Sequence, residues 1–183
     1  MSEVLNRYSA IADNFEDRLL GRTAEKWSAQ SPCADWATRD VVVHVINVHR
    51  RVRASLDGTT PDEVKLDSPD LLSNWRDARE SISSSLADTQ LAGKTIGGMF
   101  GEQPFESLVS RLLCADTLVH AWDIARATGQ DEKLNPNAIT KAFEFLLPLD
   151  ESIRRPGGFA PKIEPAPDSD EQTRFLNFCG RSV

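Results

Sequence analysis

Apolar residues recur at steps of three and four positions along most of the chain, which is the spacing typical of amphipathic helices. In the first such segment the apolar positions are Leu5, Tyr8, Ala12, Phe15 and Leu19. Five helices are predicted in this way, over residues 2–21, 38–57, 68–88, 104–128 and 136–147. Little of the sequence has the two-residue alternation of strands. Long helices joined by modest connections favour an all-α fold, a four-helix bundle with one additional helix.

Residues with capping preferences stand at the expected ends of several helices. Thr38 is expected to cap the second helix and Ser68 the third, where a proline follows at the first helical position. Gly129 is placed to end the long helix 104–128, and Asn135 precedes a proline that can start the next helix. These signals predict the same boundaries as the apolar pattern.

Glycine and proline mark the segments between and after the helices. Residues 91–103 contain four glycines and are expected to form a loop or a short extended turn, without the spacing of a phosphate-binding loop. The tail, residues 148–183, begins rich in proline. Within it, Ser169 and Gln172 form a capping-box pattern that predicts a short last helix. The aromatic residues of that helix indicate that the tail packs back on the body of the protein.

The composition changes this picture mainly by excluding classes of function. A chain of 183 residues fits one domain with its own core, and a single domain is predicted over residues 1–183. The net charge of −7 argues against nucleic acids and anionic membranes as partners. The sequence has neither a secretory signal pattern nor an apolar run of roughly 18 residues. Its three widely spaced cysteines are expected to be reduced thiols, which predicts a cytoplasmic protein.

Two carboxylates lie at the centre of the apolar stripe of the long helix 104–128. This stripe consists of Phe105, Val109, Leu112 and Val119. Asp116 and Asp123 project from the same face, and His120 lies beside them. An unpaired buried carboxylate is very costly, so both acids need arginines, helix caps or a metal ion as partners. Asp116 and His120 could contact one ion together, and Asp123 is expected either as a ligand or as an acceptor that orients a ligand histidine.

A third ligand would have to come from a neighbouring helix. The remaining histidines, His44 and His49, are both in the second helix, and their helical angles do not choose between them. Alternatives without a metal are an ion pair of Asp116 with Arg39 or Arg111, and a hydrogen-bonded core role for the histidine of the long helix. The residues alone leave these alternatives open.

Other polar and aromatic side chains receive weaker functional interpretations. Arg51 lies on the same side of the second helix as His44 and could contact an acidic ligand. Cys33 follows a proline in a loop and is expected to be a small half-buried side chain rather than a nucleophile. The tryptophans are expected to pack in the core or in a lid; they are Trp27, Trp36, Trp75 and Trp122.

Three segments of the sequence carry a resemblance to a known family. Residues 32–45 (PCADWATRDVVVHV) and 116–129 (DTLVHAWDIARATG) resemble signatures of the mycothiol-dependent maleylpyruvate isomerase family, a branch of the DinB-like metal-binding bundles. The tail from Phe159-Ala160-Pro161 to Gly180-Arg181 is similar to an actinobacterial subgroup of the same family. Together these segments span nearly the whole chain.

The resemblance implies a DinB-like four-helix bundle with one divalent metal ion held by three side chains. The family's ligands map onto His44, Asp116 and His120. With these three as ligands, the pattern of the long helix leaves Asp123 as the hypothesised residue behind them that orients a ligand histidine. The implied metal is zinc, with nickel and iron(II) as alternatives. Two departures from the isomerase are visible: it has a glutamate where this chain has Asp116, and it carries an additional C-terminal domain.

The resemblance also implies a reaction. A low-molecular-weight thiol, mycothiol in actinobacteria, would be activated as a thiolate at the metal and would attack a small electrophilic substrate, which makes a thiol transferase or isomerase. Arg51 is the candidate substrate or thiol contact. Two alternatives remain: a hydrolase that uses a metal-bound water, and a non-catalytic bundle that binds a metal or small molecule. Relatives of this fold often dimerise, so a homodimer is a further alternative.

Overall fold

The computed structural model describes residues 2–21, 23–97, 101–154 and 158–183. Its α-helices are α1 (Glu3–Leu19), α2 (Ala24–Ser28), α3 (Thr38–Ser55), α4 (Leu71–Ala87), α5 (Thr89–Gly93), α6 (Phe105–Leu108), α7 (Cys114–Thr128), α8 (Pro136–Leu146) and α9 (Glu171–Phe178). A π-helical segment, Val109–Leu113, joins α6 to α7, and a 3₁₀ helix, Leu147–Ile153, follows α8. Two short antiparallel strands, β1 (Thr95–Ile96) and β2 (Gln103–Pro104), form a hairpin.

Four long helices form the body of the protein. Helix α1 packs against α4 and α7, and α3 also packs against α4 and α7, so the four helices close into a ring around one core. The core contains large side chains that are almost completely shielded from solvent: Trp75, Trp122, Tyr8, Phe15 and Phe105. The predicted all-α bundle is therefore confirmed. Within the described residues, the helices lack the combination of length and apolar character that a membrane crossing requires.

Two helix caps lie one or two residues after the predicted ones. Helix α4 is capped by Asp70, whose carboxylate accepts from the Ser73 amide at 2.9 Å, so the prediction of Ser68 was wrong. Helix α9 is likewise capped by Asp170 rather than Ser169. In both cases a carboxylate nearer the helix reaches the free amides of the first turn.

The other predicted boundaries have mixed outcomes. Helix α3 begins at Thr38 itself, and the Thr38 hydroxyl donates to the Ala29 carbonyl instead of capping the helix. Helix α8 starts at Pro136 as predicted, and Asn135 caps it by accepting from the Ala138 amide at 3.2 Å. Gly129 ends α7 in the left-handed conformation, with φ of 68°, which confirms its predicted role.

The predicted helix 104–128 is interrupted by the π-helical segment. A π turn holds more residues than an α turn, so the residues after it are rotated relative to a continuous α-helix. As a result, Leu113 is fully buried and Leu112 only partly, which corrects the predicted stripe at Leu112. The two acids of the stripe, Asp116 and Asp123, lie after the segment and share one regular helix, α7.

The predicted extended turn over residues 91–103 corresponds to the end of α5 and the β1–β2 hairpin, apart from residues 98–100, which lie outside the described part of the chain. The tail packs back on the body through aromatic residues, as expected. The ring of Phe143 in α8 lies 5.9 Å from that of Phe175 and 5.4 Å from that of Phe178, both in α9. These contacts bring the last residues of the chain toward α7.

Candidate metal centre

Helices α3 and α7 bring three of the predicted site residues together. Helix α3 contributes His44, and α7 contributes Asp116 and His120, one turn apart. The Oδ1 atom of Asp116 lies 3.3 Å from Nε2 of His44 and 3.6 Å from Nε2 of His120. One candidate ligand atom from each residue lies within 4.8 Å of the other two. This spacing places all three side chains within reach of one ion.

His49 lies elsewhere in the protein. Its ring is completely buried, 5.8 Å from the ring of Tyr8 and 5.0 Å from that of Trp75. Its Nδ1 atom lies 2.8 Å from the carbonyl oxygen of Val45, one turn earlier in α3. His49 is therefore a core histidine on the other flank of α3, and His44 is the histidine of this helix that faces Asp116.

The arginines considered as partners of Asp116 bind other groups. Arg39 donates to the carbonyl oxygens of Leu66 and Ser68, and Arg111 donates to the Gln103 side chain at 3.3 Å. The partners of Asp116 are the two histidines. Its second oxygen, Oδ2, is buried and has no hydrogen-bond partner within the described residues.

The charges of this group reinforce one another. Burial alone would raise the pKa of Asp116, but the facing rings of His44 and His120 outweigh burial and lower the pKa to about 2. Burial would lower the pKa of His44, but the Asp116 carboxylate overcomes this and raises it. Asp116 is thus ionised at neutral pH, which is the form that binds a metal ion.

Asp123 lies behind this group and is fully buried. Its Oδ2 atom lies 2.8 Å from Nδ1 of His120. Its oxygens also accept two hydrogen bonds from Arg181, each of 2.9 Å, and one from the thiol of Cys33 at 3.2 Å. Burial would raise the pKa of Asp123, but His120 and Arg181 lower it far below its usual value. Since an ionised carboxylate only accepts, the Nδ1 atom of His120 carries a proton, and the opposite ring nitrogen, Nε2, lies on the side of Asp116.

Arg181 is the partner of Asp123 that the sequence analysis did not assign to the site. The available signals were general: a carboxylate at the centre of a buried face, such as Asp123, must have a partner, and Arg181 stands in the tail segment that resembles the family. The tail has no periodicity that would point to position 181, so the pairing depends on how α9 docks.

Cys33 is half-buried, as predicted, and lies in the loop before α3. Burial and the nearby Asp123 raise the pKa of its thiol to about 12, so the thiol is protonated at neutral pH. Cys33, His120 and Asp123 also form a group of close ligand atoms. In that group, however, Nδ1 of His120 and both oxygens of Asp123 already hold hydrogen bonds, and the cationic Arg181 is adjacent. The group of His44, Asp116 and His120 is the better candidate for a metal.

The candidate ligands open onto a cavity of about 1120 Å³. Trp36 forms part of its wall, and its ring lies 4.9 Å from that of His44 and 6.3 Å from that of His120. The apolar part of the wall comes from several elements and includes Val48, Val52, Leu112, Phe145, Leu149 and Phe159. Small-molecule sites typically have volumes of roughly 300–1,000 Å³, so the cavity has room for more than one small ligand.

Arg51 also lines the cavity, but its guanidinium is engaged. The Nε atom donates to Glu63 at 2.6 Å, and half of the Arg51 side chain is exposed. A ligand that binds Arg51 would therefore have to compete with Glu63. Of the other tryptophans, Trp75 and Trp122 are core residues, and Trp27 packs against the guanidinium of Arg39 at 5.9 Å.

The residues present fit a divalent metal ion. Two histidine Nε2 atoms and a carboxylate converge, and the carboxylate retains one oxygen without a hydrogen bond. Two histidines and one carboxylate form a donor set found in catalytic zinc sites, where a further coordination position is left open. The Asp123 carboxylate behind His120 is the usual support of a metal-binding histidine.

Comparison with known proteins assigns the chain to a family. Two uncharacterised proteins of Mycobacterium tuberculosis, from strains CDC 1551 / Oshkosh and ATCC 25618 / H37Rv, are each 25% identical to the chain over 181 residues, covering 98% of both sequences. No solved structure matches significantly. The sequence profile of the mycothiol maleylpyruvate isomerase N-terminal domain matches residues 8–125, which include all three candidate ligands. The chain therefore belongs to the family of the mycothiol maleylpyruvate isomerase N-terminal domain.

Proposed function

We propose that this protein is a metal-dependent enzyme that uses a low-molecular-weight thiol, with mycothiol as the cosubstrate, to transfer the thiol to a small electrophilic substrate or to isomerise that substrate. The observation that carries the proposal is the convergence of His44, Asp116 and His120 on one wall of a large cavity. Membership of the mycothiol-related family supports the choice of thiol. The proposed unit is a single cytoplasmic domain over residues 1–183.

The three convergent side chains would hold the cation, with zinc as the first choice and nickel and iron(II) as alternatives. When bound, the cation would supply Lewis-acid stabilisation of a thiolate at neutral pH. Asp123 fixes the ring of His120 with Nε2 toward the cavity. The three proposed ligand atoms would therefore already lie close together before an ion binds.

The remaining cavity residues bind and shield the reactants. Trp36 and the apolar wall exclude water from the sulfur, which favours attack on an electrophilic carbon over hydrolysis. Arg51 is the proposed contact for a polar group of the thiol or substrate, reached by exchange of its Glu63 partner. The cavity volume of about 1120 Å³ supports simultaneous binding of the thiol and its partner.

The metal is tested by elemental analysis of protein purified without chelators, alongside His120→Ala and His44→Ala. We expect about one zinc or nickel per chain in the unmodified protein and its loss in both variants. Asp57→Asn is the control for removal of a carboxylate outside the site, because Asp57 is exposed, lies just after α3 and pairs with Arg53. An unmodified protein that stays metal-free after incubation with zinc, nickel and iron(II) would overturn the metal site.

The thiol is tested in cobalt-substituted protein by visible absorption. Titration with a low-molecular-weight thiol should produce a sulfur-to-cobalt charge-transfer band and alter the ligand-field bands. If the spectrum of the cobalt protein does not change when the thiol is added, thiol dependence is contradicted, while the proposal of a metal site still stands.

A further inference from the structure

We infer that Arg181 is a positioning residue of the metal site: through Asp123 it fixes the tautomer and orientation of His120, so that the docked tail is part of the site. This inference rests on the proposed metal-binding function. It concerns a residue outside the segment 8–125 that matches the family profile.

Arg181 and Asp123 form a bidentate ion pair. Arg181 donates to Asp123 through two nitrogens, Nε to Oδ1 and Nη2 to Oδ2, each at 2.9 Å. Such a fork fixes the plane of the carboxylate as well as its place. The same Oδ2 atom faces Nδ1 of His120 at 2.8 Å. The orientation of the histidine ring is therefore set by an arginine that does not touch it.

This ion pair is shielded from solvent. Asp123 is fully buried, and the Arg181 side chain is only 7% exposed. A carboxylate in such a place needs a compensating cation; without Arg181, the Asp123 carboxylate would turn away from His120 toward water. The His120 ring would then lose the acceptor that holds its proton on Nδ1, and the proton would be free to move to Nε2. That nitrogen would then be unable to bind a metal ion.

Hydrogen bonds within the tail hold Arg181 in place. Its Nη1 atom donates to the Cys179 carbonyl, and its own carbonyl accepts from the Asn177 side chain at 2.8 Å. Its backbone amide donates to the Leu176 carbonyl. These hydrogen bonds fix the guanidinium relative to the end of α9, so its position depends on the docking of that helix.

The test uses two variants, Arg181→Met and Arg181→Lys. Long-range ¹H–¹⁵N correlation spectra of the metal-free protein report the tautomer of His120, and competition with a chromophoric chelator reports zinc affinity. In Arg181→Met we expect signals of the Nε2-protonated tautomer and a zinc Kd weakened about 10- to 100-fold. Arg181→Lys keeps the charge with fewer donors, so it should restore the tautomer and part of the affinity.

Arg154→Met is the matched control. Arg154 also anchors the tail, by donating to the Phe178 carbonyl at 2.9 Å, but its other partners are Asp150 and Ala160. Its loss should leave the His120 tautomer and the zinc affinity unchanged. Equal effects of the two arginine-to-methionine changes would overturn the inference, since Arg181 would then act only by docking the tail. An unchanged tautomer in a folded Arg181→Met would also overturn it.

These readouts separate this inference from the proposed function. If the unmodified protein binds no zinc, the proposed metal site fails. The tautomer of His120 in the metal-free variants still decides whether Arg181 sets its orientation.

Discussion

The Nε2 atom of His44 lies 3.3 Å from the Oδ1 atom of Asp116, although 72 positions separate the two residues in the chain. This contact joins α3 to α7 at the point where the candidate site opens. It also involves the position at which the sequence departs from the isomerase it resembles, since that enzyme has a glutamate in place of Asp116. The effect of side-chain length at this position can be measured directly.

Substitutions at Asp116 should separate the charge of the ligand from its length. Asp116→Asn removes the anionic ligand, and we expect the zinc Kd to weaken by more than about 100-fold, since loss of a residue that merely supports a ligand already costs about 10- to 100-fold. Asp116→Glu keeps a carboxylate and should retain about one zinc per chain. Both values come from the same chelator competition, and an Asp116→Asn protein with unaltered affinity would exclude Asp116 as a ligand.

The π-helical segment gives a matched pair of neighbouring leucines. Leu113→Ala should lower the free energy of unfolding by about 2–5 kcal/mol, because Leu113 is fully buried in the core. Leu112→Ala should cost about 1 kcal/mol or less, because Leu112 is partly exposed in the cavity wall. Urea unfolding followed by circular dichroism measures both. The reverse order of the two effects would mean that the helix is continuous there.

Gly180 should be sensitive to the addition of a single methyl group. Its φ is +76°, and a Cβ atom at this position would lie 2.7 Å from the Cβ atom of Ala160. Gly180→Ala should therefore cost the left-handed strain of about 1–2 kcal/mol and, in addition, displace the tail. We expect lower stability and a weaker zinc Kd, because Arg181 is the next residue.

Gly129→Ala is the control for Gly180→Ala. Gly129 has a similar φ of +68°, but a Cβ atom there would meet nothing within 4 Å. Only the backbone strain of about 1–2 kcal/mol should remain, with unchanged zinc affinity. Equal losses in both variants would show that the approach to Ala160 does not matter.

His49 should make stability depend on pH. Burial lowers its pKa to about 4, against a usual value of 6.5, although the Val45 carbonyl favours the protonated ring. Between these two values the unfolded chain binds more protons at His49 than the folded chain does. The free energy of unfolding therefore falls as the pH falls from 6.5 to 4, by up to about 3 kcal/mol from this residue.

His49→Leu isolates this effect in the metal-free protein. The variant has no titratable group at position 49, so its unfolding free energy should fall less between pH 6.5 and pH 4. Other acid-sensitive groups are common to both proteins and cancel in the difference. Parallel curves for the two proteins would contradict a neutral, buried His49.

The sequence predicted those parts of the molecule that depend on local spacing. The bundle helices follow from apolar periodicity, and Asp116 and His120 share a helix face because they are four residues apart. The π turn was missed because Leu112 and Leu113 are both apolar, so the sequence does not show which of the two is buried. Helical angle alone did not choose His44 over His49, since each lies on a flank of α3 and only the packing of α7 decides. Arg181 was missed because its contact requires a docked tail.

The contact between Arg181 and Asp123 spans 58 positions of the chain and depends on a short terminal helix. A terminal helix can open locally at a lower free energy than the global unfolding of the protein. Each opening would break the arginine contact while the four long helices stay folded. The inferred role of Arg181 therefore makes the completeness of the site depend on the local equilibrium of α9, which a melting temperature of the bundle would not report.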